Sequence, residues 1–152
     1  MSRLSHVGDD GTPTMVDVGG KKITRRRAAV QAILSLKPSH LAALDGNPKG
    51  NVLVTAQIAG IQAGKRCAEL IPLCHSVPLN FLDVKIEPVA GGLKIVAISE
   101  AEAVTGVEME AYVAAAMAGV TLIDMLKGVD PDLTLSELRL VEKSGGKTPF
   151  KR

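Results

Sequence analysis

Near the end of the stretch GVEMEAYVAAAMAGVTLIDMLKGVD (residues 106–130), an acid and a base stand three residues apart: Asp124 and Lys127. On a helix that spacing brings a carboxylate into contact with an ammonium. Such a pair can hold or relay a proton, the acid orienting the amine and each partner tuning the other. The ordinary alternative is a structural ion pair at a helix end. Thirteen uncharged residues, Ala111 to Ile123, precede the pair, and Glu108, Met109 and Glu110 open the run. At 100° per residue, Val113, Met117, Val120 and Asp124 fall on one stripe. The carboxylate is therefore expected to share a face with core residues, where a lone charge is costly.

Three further stretches place polar groups among apolar ones. In LIPLCHSVPL, His75 follows Leu73 and Cys74 between prolines 72 and 78, in a rigid turn. A histidine there can serve as acid, base or hydrogen-bonding group near neutral pH. Adjacent Cys74 and His75 point apart and no third ligand has suitable spacing, so no metal is expected. In VEKSGGKTPFK, Lys143 and Lys147 bracket Ser144-Gly145-Gly146. Glycines let backbone N–H groups approach an anion and the lysines add charge, although Walker spacing is absent. The third set is basic: Lys21, Lys22, Arg25, Arg26 and Arg27, then Lys49, then Lys65 and Arg66. Lys49 lies beside a helix N-terminus, where an anion is favoured. Lys65 and Arg66 suit a helix C-terminus.

These groups need a scaffold. Residues 1–15 read as a flexible tail and 16–152 as a single domain. ITRRRAAVQAILSL favours a strand, with Val30, Ala32, Leu34 and Leu36 on one side, although its alanines leave a helix open, and Pro38 ends it. SHLAALDG reads as a short helix capped by Ser39. A helix is expected from the cap Asn51 to about Ala63, apolar on nearly all sides and hence buried in the chain or against another subunit. NFLDVKIE alternates, with Leu82, Val84 and Ile86 facing one way. PVAGG turns the chain, and LKIVAISEAEAV returns as the second arm of a hairpin. The long helix starts near Val107, and LTLSELRLV gives a last strand with Leu138 and Leu140 on one face. Strand, helices, strand, strand, helix, strand is the α+β, ferredoxin-like split βαβ order, an antiparallel sheet packed against helices.

Composition narrows the partners. Hydrophobic residues make up 46% of the 152, enough for a real core. Aromatics are 2% with no Trp, which argues against base-stacking platforms and nucleic-acid binding. A net charge of +2 is too small for a general polyanion binder; the basic residues cluster locally, as suits a compact anionic ligand. Two cysteines outside a disulfide framework predict a reducing, cytoplasmic setting. The N-terminal fifteen residues have no apolar signal core, so no export is expected. No uncharged run reaches the roughly 18–20 residues of a membrane span.

Taken in order, KGNVLVTAQIAGIQAGKR…LIPLCH, TGVEMEA, LIDMLK and LVEKSGGK closely resemble the cyclic pyranopterin monophosphate synthases, the molybdenum cofactor biosynthesis protein C family, from about Met15 to Lys147. The resemblance implies a lyase that turns 3′,8-cyclo-7,8-dihydroguanosine 5′-triphosphate into cyclic pyranopterin monophosphate and pyrophosphate, with no cofactor. It implies a hexamer built as a trimer of dimers, with active sites at the dimer interface. Asp124 matches the family's catalytic acid and Lys127 its partner. Leu73, Cys74, His75, Glu108, Met109 and Glu110 match substrate-binding motifs, and Arg26, Lys49, Lys65, Lys143 and Lys147 match supporting basic residues. Asn51 stands where many members have Asp, and Gln57 where many have Arg. The rival readings are a non-enzymatic ferredoxin-like module that binds an anionic metabolite, which has no need of Asp124 with Lys127, and a phosphohydrolase, which calls for more metal-binding carboxylates.

Overall fold

A computed structural model describes residues 6–8 and 10–152. Strands β1 (Thr24–Ser35), β2 (Phe81–Val89), β3 (Gly92–Ala103), β4 (Thr134–Ser144) and β5 (Phe150–Lys151) form one antiparallel sheet in the order β2-β3-β1-β4-β5. Helices α1 (Pro38–Ala42), α2 (Val52–Lys65) and α3 (Cys67–Leu70) lie between β1 and β2, and α4 (Glu108–Leu126) between β3 and β4. The β1-α-β2-β3-α4-β4 path is the expected ferredoxin-like split βαβ, with β5 added at one edge.

Alternation builds the core. Ala28, Val30, Ala32 and Leu34 of β1 are fully buried beside Leu93, Ile95 and Ala97 of β3 and Val84 of β2. Ala111, Ala114, Ala115, Ala118 and Leu122 of α4 close over them. The β2–β3 hairpin turns at Ala90 and Gly91, with Gly91 at φ +75°, the left-handed conformation that glycine supplies freely. α2 and α4 run antiparallel in close contact. A Cβ on Gly60 would stand 2.7 Å from the Ala114 carbonyl oxygen, and one on Gly64 would stand 2.9 Å from that of Glu110. The two glycines, one turn apart, let these backbones meet.

Four expectations change. The N-cap of α1 is Lys37, not Ser39, because Pro38 fits the first helical position, where its missing N–H costs nothing. α2 begins as expected, the Asn51 side chain accepting from Val54 N–H at 3.0 Å, and runs two residues past Ala63. It is buried along one face only; Val54 and Ile58 are exposed on the other. In β4 the register against β1 slips between Ser136 and Arg139, where Glu137 takes φ +52°. That bulge turns Leu138 outward and leaves Leu135 and Leu140 packed on the core.

The fourth concerns α4. The stripe of Val113, Met117, Val120 and Asp124 exists, but it is the outer face: Met117, Val120 and Asp124 are exposed. The alanine face is the buried one, since only small side chains allow α2 and the sheet to approach so closely. By length and composition α4 could also cross a membrane; here it is the central core helix. Of the N-terminal tail, residues 1–5 and 9 lie outside the described residues. Around them, Val7 pairs with Pro13, and Thr14 N–H donates to the His6 carbonyl at 3.0 Å.

Candidate active site

The antiparallel packing of α2 and α4 sorts the candidate residues into two groups. At one end, the last turn of α4 meets the approach to α2. Lys127 Nζ lies 2.7 Å from Asp124 Oδ1, and Lys49 Nζ lies 3.7 Å from Oδ2. Lys49 also donates to the Asp124 carbonyl oxygen at 2.7 Å, so it fastens to a helix C-terminus, where the macrodipole favours a cation. Lys127 first, then Lys49, holds the Asp124 carboxyl below the usual carboxylate range. The group is open to solvent: Asp124 is 59% and Lys127 58% exposed. A buried setting, expected from the stripe, is therefore absent within one chain, and the two ammonium groups account for the lowered pKa.

The segment after Lys127 is held in place. Buried His40 accepts from Lys37 N–H at its Nδ1 (3.1 Å) and donates from Nε2 to the Asp130 carbonyl (2.8 Å). Lys37 Nζ bridges Asp130 and Asp132 at 2.8 and 2.9 Å. Both ring nitrogens of His40 are occupied, so it is a structural residue that fixes the loop beyond the ion pair.

At the other end, where α4 begins, Leu73, Cys74, His75, Glu108 and Met109 line a cavity of about 580 Å³ with Ile71, Thr105 and Gly106. His75 Nε2 donates to the Val16 carbonyl at 2.7 Å, which sets its tautomer and leaves its other edge for a ligand. Thr105 and Gly106 went unassigned in the sequence, although the TG before VEME was a signal for them. Glu110 differs from its expected neighbours. It is 3% exposed, does not line the cavity, and its Oε2 has no hydrogen-bond partner among the described residues. Burial pushes its carboxyl pKa up, and the Glu108 charge adds to this. Its neighbours are Cys67 and Cys74, whose sulfurs stand 3.7 Å apart. Cys67 opens α3, two positions after Lys65 ends α2, and has no spacing signature that would have flagged it.

The basic residues divide by strand face. Arg25 and Arg27 both pair with Glu100, at 3.0 and 2.6 Å, on the side of the sheet away from the helices. Arg26 points to the helix side and donates to the carbonyls of Ala103 (3.4 Å) and Val104 (3.3 Å), beside the Thr105-Gly106 wall. Lys143, opposite Ala28 on the same side, lies 3.2 Å from Glu108. The Ser144–Lys147 loop is packed rather than free: Gly145 takes φ +85°, Thr24 Oγ1 donates to its carbonyl at 2.9 Å, and a Cβ there would collide with the Arg25 carbonyl. Lys147 is exposed on this loop. Lys65 lines a second cavity, of about 320 Å³, with Ile61, Val77 and Leu82. Gln57 donates to the Val84 carbonyl at 2.9 Å and so braces the edge strand β2.

The fold thus joins Asp124, Lys127 and Lys49 at one end of α4. It joins Leu73, Cys74, His75, Glu108, Met109, Arg26 and Lys143 at the other. Fourteen residues separate Glu110 from Asp124, roughly 21 Å at 1.5 Å per residue. One chain does not bring the two groups together.

With this geometry in place, similarity to known proteins is informative. The chain is 48% identical to a cyclic pyranopterin monophosphate synthase of Oleidesulfovibrio alaskensis over 151 residues, 97% of this chain and 95% of that one. It is 45% identical to the protein of the same name from Nitratidesulfovibrio vulgaris (95% and 92% covered), and 44% identical to that of Brucella ovis (96% and 91%). The family model described as the MoaC family matches residues 15–146. With nearly the whole chain covered in each comparison, this protein belongs to the MoaC family.

Proposed function

We propose that the protein is a cyclic pyranopterin monophosphate synthase, an enzyme of molybdenum cofactor biosynthesis that acts in the cytoplasm on a small-molecule triphosphate. The finer reading is a lyase converting 3′,8-cyclo-7,8-dihydroguanosine 5′-triphosphate to cyclic pyranopterin monophosphate and pyrophosphate. The observation that carries it, in a chain of this family, is the Lys127–Asp124–Lys49 cluster. An anion-binding module has no use for a carboxylate between two lysines, because the acid cancels the charge that would attract the ligand. A proton-transfer site does.

The reaction opens the purine's five-membered ring, forms a pterin ring and lets a sugar hydroxyl attack the α-phosphorus, so it needs proton movement and anion stabilisation. Asp124 stays ionised and orients Lys127, which moves protons during ring rearrangement. Lys49, Lys65, Arg26, Lys143 and Lys147 hold the triphosphate and the departing pyrophosphate. Leu73, Cys74, His75, Glu108 and Met109 hold the ring system, with Glu110 behind that wall.

Because the two groups lie at opposite ends of α4, the working site is composite: Asp124 and Lys127 from one chain, His75 and its cavity from another across a two-fold contact. The exposed apolar residues Val54 and Ile58 of α2 with Met117 and Val120 of α4 offer a surface for such a contact. The expected assembly is a hexamer, a trimer of such dimers. Incubating purified protein with the cyclic guanosine triphosphate tests the activity. Pyrophosphate and a pterin product should appear together. Pyrophosphate alone would indicate a phosphohydrolase, and neither product a binding module.

A further inference from the structure

Cys67, Cys74 and Glu110 come from three separate places in the chain: the first residue of α3, the loop after it, and the first turn of α4. Their ligand atoms all lie within 4.8 Å of one another. Cys67 and Glu110 are buried and Cys74 is half-buried. Without a cation this is an unfavourable grouping. Glu110 Oε2 is buried with no hydrogen-bond partner among the described residues, an unfavourable state for a charged group. Burial and the nearby Glu110 charge push the Cys67 thiol pKa up, and burial does the same at Cys74. A divalent cation would reverse both penalties, since it stabilises thiolates and gives the orphan carboxylate oxygen a partner.

We propose that Cys67, Cys74 and Glu110 bind a zinc ion. The geometry suits it: zinc–sulfur bonds of about 2.3 Å in a tetrahedron place two sulfurs about 3.8 Å apart, and the observed separation is 3.7 Å. Two thiolates select a borderline-soft ion over magnesium or calcium. Three protein ligands leave the fourth position for water, which reaches the site from the cavity that Cys74 helps to line. On binding, each thiol releases its proton to solvent and its sulfur donates an electron pair to the metal; no redox change occurs. The ion would tie the end of α2 and the Leu73–His75 wall to the start of α4. This inference goes beyond the activity proposed above and is read without substrate.

The test is a titration of the reduced, chelator-treated full-length protein with Co²⁺, a spectroscopic stand-in for Zn²⁺. One equivalent per chain should produce a near-ultraviolet sulfur-to-cobalt charge-transfer band of two-thiolate intensity, bleached by one equivalent of Zn²⁺. Cys67→Ser should halve or abolish that band. Glu110→Gln should keep thiolate ligation but weaken affinity at least tenfold, with both variants matched to the wild type by circular dichroism. The wild-type titration stands even if a variant misfolds: no thiolate band there overturns the site. A band unchanged by Cys67→Ser, or an affinity unchanged by Glu110→Gln, overturns the ligand set.

Discussion

Asp124 and Glu110 show how the same side-chain type takes opposite roles in different surroundings. Two ammonium groups hold Asp124 below the ordinary carboxylate range. Its folded pKa is lower than its unfolded one, so its pairing stabilises the protein above the unfolded value near 3.9 and is lost as pH falls through the folded value. The Asp124 carboxyl signal in NMR should therefore titrate below that of an unpaired aspartate, and a midpoint at or above the unpaired value would remove it as a fixed anion. Asp124→Asn and Lys127→Ala should each fold and assemble yet lose at least ~100-fold in pterin formation, the scale of acid–base catalysis. Near wild-type turnover in either would reject the assigned role. Glu110 runs the other way. Burial raises its pKa, so its protonated form is favoured in the fold, and the associated stability is full below the unfolded pKa and declines as pH rises through the folded one. In the presence of EDTA, Glu110→Gln should melt above the wild type at pH 8, with the gap closing toward pH 4. A gap independent of pH would place the effect elsewhere.

Helix packing decided what the sequence could reveal. The period of α4 was legible, and so was the stripe carrying Asp124, but not which side of it faces inward. Both sides are apolar, and a pattern of hydrophobicity cannot tell alanine chosen for close approach from alanine on a surface. The outcome depended on Gly60 and Gly64, whose partners Ala114 and Glu110 are some fifty residues away in sequence. Strands β1, β2 and β3 were readable because alternation settles their inward face, whereas the β4 bulge at Glu137 breaks alternation and hid the exposure of Leu138. Arg26 could be separated from Arg25 and Arg27 only once strand parity placed Glu100 on the far side of the sheet. Gly60→Ala and Gly64→Ala should each force the helices apart and cost about 1–3 kcal/mol, the usual scale of overpacking. In a chain of this size that lowers Tm by roughly 2–4 °C per kcal/mol. Unchanged melting would mean that the helix pair has slack to take up a methyl group. Asn51→Ala, which removes the α2 cap, should cost about 1 kcal/mol by the same measurement.

Across the whole molecule, one fact organises the rest: α4 carries candidate site residues at both ends and cannot fold them together. The sequence showed the separation, and the fold sharpened it into two groups with different characters, an exposed cationic cluster around Asp124 and a walled cavity beside His75. The solvent-exposed apolar residues between them belong to both helices and suit contact with a second copy. If two chains share each site, an Asp124→Asn chain and a His75→Ala chain, each inactive alone, should complement one another. In a mixed dimer one site collects both lesions and the other collects none. Random subunit exchange at equal concentrations should therefore restore about a quarter of wild-type pterin formation from the cyclic guanosine triphosphate, as two-fold pairing requires. Verified mixed oligomers that remain inactive would contradict the shared site and return all of the chemistry to a single chain.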